Sequence, residues 1–186
     1  DLENTIKQTA KNAGWLNLQY KAQKQNNLKV IMLYDIGGSM DEHVKLVQTL
    51  FFAARSCFKT LDYFYFHNCP YETLWQDNQR RKQSSITTDE FLKRYNDDYK
   101  IIFIGDASMS PYELLFAGGS VEHMNNEAGQ VWLKRILDNF SSAAWLNPLE
   151  KNHWYSQSIN MINEITNKRM HPLSIHGITD AITNLL

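Results

Sequence analysis

The stretch Leu28–Met40, LKVIMLYDIGGSM, decides how the rest of the chain is read. Leu28–Tyr34 is nearly continuous in apolar residues, the pattern of a strand buried on both faces at the centre of a parallel sheet. The run stops at a carboxylate, Asp35, and passes through Gly37-Gly38 to Ser39, where a helical pattern begins. Ser39 with Glu42 three residues on has the spacing of a capping box, so Ser39 is expected to cap the first helix. A lone acid at the C-terminal end of a buried strand, facing a helix N-terminus across glycines, stands where open α/β sheets hold their ligands.

Working outward, the flanking sequence supplies strands and helices in alternation. Residues 2–12 have weak helical spacing, and 1–15 are expected to form a helical lead-in to one domain covering 1–186. Residues 16–23 read as an edge strand in an antiparallel hairpin with 28–35, with Lys24–Asn27 as the turn. The helix expected from Met40 to about Phe58 carries Val44, Val47, Leu50, Phe51, Ala54 and Phe58 on one face. LDYFYFHN (61–68) is a strand, YETLWQ (71–76) its hairpin mate, and DNQRRKQSS (77–85) an exposed polar loop. A short helix is expected from Thr87 through Tyr95. KIIFIGD (100–106) repeats the opening theme, an apolar strand ending at an acid. Ser110-Pro111-x-Glu113 then combines an N-cap, a proline at the first helical position and an acid at the third.

After the loop Gly118–Asn126, a helix over about 127–140 is expected to turn Val131, Trp132, Ile136 and Phe140 inward. A strand at 143–146, a helix around 158–166, a short strand near 171–175 and a helix at 177–186 follow. The fold class expected is α/β: a doubly wound, mostly parallel central sheet with helices on both faces and one antiparallel edge hairpin.

Composition sets bounds on function. The chain has 186 residues, 43% hydrophobic, with a formal net charge of −1. That balance gives no electrostatic footprint for nucleic acid, and DNQRRKQSS has no interleaved aromatics to stack bases. Apolar runs fall far short of the roughly 20 residues needed to span a bilayer. Two cysteines, Cys57 and Cys69, make neither a disulfide framework nor a zinc knuckle, and a reducing cytoplasm is the expected setting.

The chemistry concentrates at the two strands that end in aspartate. If 28–35 and 100–106 are neighbours at the switch point of a doubly wound sheet, Asp35 and Asp106 face each other. Neither has a Lys or Arg within three residues, and two carboxylates that close repel unless a cation lies between them. A hard divalent ion satisfies both, with hydroxyl oxygens from Ser39 and from Thr87 or Thr88. Of the two threonines, Thr88 is the expected ligand, because Thr87 with Glu90 forms a capping box.

Asp35-Ile-Gly-Gly-Ser39, a threonine opening a helix and a later strand ending in Asp106 resemble the metal-ion-dependent adhesion site of von Willebrand factor A domains. The chain is similar in particular to bacterial CoxE-like proteins, and the likeness extends through FHNCPYETLW, IGDASMSPYE and GGSVEH. The resemblance implies Mg²⁺ or Mn²⁺ held by Asp35, Ser39, Thr88 and Asp106, with an open position filled by an acidic residue of a partner protein. It also implies work beside a MoxR-type AAA ATPase in protein maturation or metal-centre assembly, without catalysis by this chain. One position departs from the family pattern Asp-x-Ser-x-Ser: Gly37 stands where the first serine would be. Restoring it by Gly37→Ser is therefore expected to tighten the metal.

Two other readings compete. A Mg²⁺-dependent phosphatase or phosphotransferase also hangs an Asp from its first strand, but the haloacid-dehalogenase pattern needs a second Asp at position 37. No GxxxxGK[ST] phosphate loop is present. The third reading is a metal-free structural subunit in which Gly37 marks a decayed site. The soft or amphipathic residues Met40, Met109, Tyr112 and Met124, in separate loops at the expected ligand edge, suit a protein interface.

Overall fold

The structure, a computed structural model, describes residue 11 and residues 26–43, 47, 49, 58–78 and 84–185. Seven strands form one sheet: β1 (Asn26–Asp35), β2 (Phe58–Phe66), β3 (Thr73–Trp75), β4 (Ser85–Thr87), β5 (Tyr99–Ile104), β6 (Ala143–Asn147) and β7 (Met170–Pro172). Their order is β4-β3-β2-β1-β5-β6-β7. β1 pairs in parallel with β2 on one side and with β5 on the other, while β3 and β4 add antiparallel to the β2 edge. The chain thus lays β2 on one flank of β1 and returns to lay β5 on the other, which makes the β1/β5 boundary the switch point.

Side-chain alternation along the strands divides the core into two. Ile31, Leu33, Phe64, Phe66, Ile101, Phe103 and Trp145 face one side, beneath α1 (Thr88–Arg94), α2 (Pro111–Leu115), α3 (Gly129–Asn139) and α4 (Gln157–Ile165). Val30, Met32, Tyr34, Ile102, Ile104 and Leu146 face the other, where Met40, Val47 and α5 (Ile175–Leu185) pack. The doubly wound α/β expectation holds, with helices on both faces. No helix among the described residues is long and apolar enough to cross a membrane.

Several details differ from the sequence expectation. Both edges of β1 are taken by parallel neighbours, which leaves no edge for the hairpin expected with 16–23; those residues lie outside the described ones, as does the lead-in apart from Lys11. The antiparallel edge is β2-β3-β4: the β2–β3 pair is the hairpin expected between 61–68 and 71–76, and only β4 was hidden within what reads as loop and helix start, because three residues carry too short a pattern. Asn26 and Asn27 belong to β1 rather than to a turn, and Phe58 begins β2 rather than ending a helix. Val44, Leu50, Phe51 and Ala54 are outside the described residues. Val131 is exposed on α3, whereas Trp132, Ile136 and Phe140 are buried as expected.

Trp145 ties the core to the C-terminal end of β5. Its indole stacks on Phe103 with centroids 5.2 Å apart, and its Nε1–H donates to the Gly105 carbonyl at 2.7 Å. Trp145→Phe keeps much of the apolar area but leaves that carbonyl unpaired in a dry place. The expected cost is about 1–3 kcal/mol, read from urea unfolding of the two proteins.

Candidate functional site

Asp35 is the last residue of β1 and follows Ile31 and Leu33 on the same face. It is 4% exposed, so it is a buried acid at the mouth of the core rather than one outside the packing. Its Oδ1 accepts two backbone N–H bonds, from Gly37 and from Asn68, each at 2.8 Å. Oδ2 has no hydrogen-bond partner among the described residues. The parallel register that pairs Tyr34 with Ile104 brings Gly105 alongside Asp35. A Cβ at Gly105 would lie 2.8 Å from Asp35 Cβ and 3.2 Å from Oδ2, so only glycine admits the carboxylate there.

Asp106, next in the chain, is 3% exposed. Its Oδ1 accepts the Ser108 N–H at 2.8 Å, and its carbonyl is held by Asn147 Nδ2 at 2.8 Å. The turn runs through Ala107 at φ 57°, a conformation alanine adopts only when its surroundings impose it. Asp35 and Asp106 are therefore brought together at the switch point, as the strand pattern predicts.

A third carboxylate joins them. Glu113 of α2 is 1% exposed. It accepts from Asn68 Nδ2 at 3.0 and 3.2 Å and from the Tyr71 hydroxyl at 3.4 Å. In the sequence, Glu113 is indistinguishable from a capping acid, and the bland role absorbs it. The fold turns it inward, leaving Ser110 to cap the Tyr112 N–H alone. Asn68 likewise reads as an ordinary turn residue. It sits at φ 57° at the tip of the His67–Cys69 bridge, where its backbone reaches Asp35 and its side chain reaches Glu113.

The hydroxyls are placed less uniformly. Ser39 is exposed and lies within the 3₁₀ helix Gly38–His43, not at its cap; the short turn after Gly37 begins one residue earlier than the capping-box spacing predicts. Thr87 caps α1 with Glu90 in a reciprocal box, as expected. Thr88 is fully buried, its hydroxyl donating to the Tyr71 carbonyl and its N–H to the Glu72 carbonyl at 2.8 Å. Among the described residues no three His, Cys, Asp or Glu side chains converge as a metal-binding group.

Electrostatics at this end of the sheet are unbalanced. No Lys or Arg among the described residues pairs with Asp35, Asp106 or Glu113. Burial raises the Asp35 pKa from 3.8 to about 7, its two N–H bonds oppose the shift, and the charges of Asp106 and Glu113 add to it. The buried Cys69 thiol is pushed up by burial and by the charges of Asp35 and Glu113.

Because the folded state raises this pKa, it prefers Asp35 protonated. That preference stabilises the fold fully below the ordinary carboxylate range and is lost as pH rises through about 7. Asp35→Asn keeps an oxygen for the Gly37 and Asn68 N–H groups without the charge. In chelator, melting temperatures should therefore favour Asp35→Asn at about pH 8, and the gap should close by about pH 4. A gap independent of pH would remove the charge of Asp35 as the cause.

Comparison of the chain with known protein families finds no match, and comparison with curated proteins finds none.

Proposed function

We propose that the chain is a protein-binding module whose recognition depends on a divalent cation held at the C-terminal end of β1 and β5. The observation that carries this reading is the pair Asp35 and Asp106, both buried, side by side and without a cationic partner among the described residues. The donors at hand are carboxylate, hydroxyl and amide oxygens, a set that fits a hard ion such as Mg²⁺ or Mn²⁺ and is wrong for a thiolate or imidazole site. Asp35 and Asp106 would supply the charge and Ser39, exposed one turn beyond Asp35, a hydroxyl. The Thr88 hydroxyl donates its proton to Tyr71 and keeps lone pairs for a cation. When bound, the ion offers a Lewis-acidic position for an anionic oxygen, and the partner's acidic side chain is the group suited to it.

The surface beside these acids supports a protein as the partner. Tyr112 and Phe116 stack with centroids 5.2 Å apart on the outer side of α2 and are 66% and 52% exposed. Val121 and Met124 stand exposed on the neighbouring loop, which Glu72 anchors by accepting the Asn126 N–H at 2.7 Å and pairing with His123 at 3.1 Å. Apolar groups exposed together beside a polar centre mark a contact surface. Two of the four interface residues expected from the sequence lie elsewhere: Met40 is buried in the core, and Met109 packs partly buried against it. The expectation of a MoxR-type AAA ATPase rests on the family resemblance alone.

Titration calorimetry with Mg²⁺ and with Mn²⁺ tests the centre: wild type should bind one ion and Asp35→Asn none. Equal binding by the two proteins would remove the ion from this site. For the surface, affinity capture from an extract should yield a partner that is released by EDTA, returns with Mg²⁺, and is lost with Tyr112→Asp. A partner held equally well with the metal stripped would place recognition elsewhere.

A further inference from the structure

Gly37, the one departure from the metal-site pattern, has a structural counterpart. A Cβ built at residue 37 would fall under 3.0 Å from Asn68 Oδ1 and 3.3 Å from Asp35 Oδ1. The Asn68 amide thus occupies the space that a side chain at 37 would fill. Its orientation follows from Glu113: a carboxylate admits only the NH₂ end, which donates to both of its oxygens at 3.0 and 3.2 Å. The amide oxygen is thereby turned toward Gly37 and Asp35. No donor among the described residues reaches it. The backbone of the same residue holds Asp35 Oδ1, so the two oxygens are fixed relative to each other.

We propose that Asn68 Oδ1 serves as the metal-ligating oxygen in place of the absent hydroxyl at position 37, and that Gly37 is the space this requires. The proposal rests on the reading of the Asp35–Asp106 pair as a cation site. An amide carbonyl is a neutral, hard oxygen donor, as a serine hydroxyl is, so exchanging one for the other keeps the charge of the ligand set. Asp35 Oδ2 accepts no hydrogen bond among the described residues and lies on the Gly105 side of the carboxylate, so it keeps its lone pairs for the cation of that reading. Glu113 acts as a positioning residue: it aims the amide and takes no part in ligation.

The test is an Mn²⁺ titration followed by electron paramagnetic resonance, with Mg²⁺ calorimetry beside it, on four proteins. These are wild type, Asn68→Gly, Gly37→Ser and the double variant; glycine at 68 keeps φ 57° accessible and retains the N–H to Asp35. Melting in EDTA checks that each is folded. Asn68→Gly should weaken binding at least about tenfold. Gly37→Ser alone, in which hydroxyl and amide compete for one place, should gain nothing. The double variant should recover affinity, because the hydroxyl then occupies the vacated space. Wild type that binds no metal overturns the cation site itself. Wild type and Asn68→Gly binding equally overturns the role of Asn68 and leaves the site standing. A double variant as weak as Asn68→Gly, or a tenfold gain from Gly37→Ser alone, also overturns the ligand role.

Discussion

Two backbone N–H groups converge on one oxygen, Asp35 Oδ1, and the C-terminal end of the central strands is arranged around them. One comes from Gly37, two residues on in the chain, and the other from Asn68, at the end of the adjacent strand. Together they hold a carboxylate at the mouth of a dry core, where an unassisted charge would be expelled or protonated. The glycine of the facing strand, Gly105, leaves the space the carboxylate fills. Trp145 fixes that glycine in turn, bonding its carbonyl from beneath and stacking on Phe103. The Asp35 carboxylate at the mouth of the core is thus continuous with a fully buried aromatic beneath it.

The same arrangement is unfavourable by itself. Asp106 and Glu113, both buried nearby, add to the cost of ionising Asp35, and the turns around them include Ala107 and Asn68 at positive φ. Each such feature costs of order 1–3 kcal/mol and persists only where the surrounding packing over-determines it. Here Asn147, Ser108 and the β5–β6 pairing hold the Asp106 turn, and Glu113 with Tyr71 holds Asn68. Two of the positive-φ residues, Asn68 and Ala107, and three buried acids without a Lys or Arg partner among the described residues thus meet at this end of the sheet.

Neighbouring the acids, α2 divides its labour between two faces. Glu113 and Leu114 point inward, one to the polar network and one to the core, while Tyr112 and Phe116 stack outward. A helix of five residues does this because Ser110 and Pro111 start it firmly and the preceding Asp106 turn sets its direction. The polar network around Asp35 and the exposed aromatic pair are therefore linked through one short helix. Movement of α2 would shift Glu113, the Asn68 amide and the exposed aromatics together.

The sequence by itself determined the α/β class, the central strand at 28–35, its acid Asp35, the matching strand ending near Asp106, and the capping box at Thr87–Glu90. These are local patterns: apolar runs, turn glycines and cap spacings act within a few residues, and tertiary packing had no cause to override them. Tertiary structure alone decided the rest. That β1 has parallel partners on both edges, that β4 closes the other end of the sheet, and that Ser39 sits inside a 3₁₀ turn depend on chain segments far apart in number. Glu113 and Asn68 are the clearest cases. A cap acid and a turn asparagine are what their local sequences describe, and only the approach of α2 to the β2–β3 turn, 45 residues away along the chain, converts them into the support of Asp35.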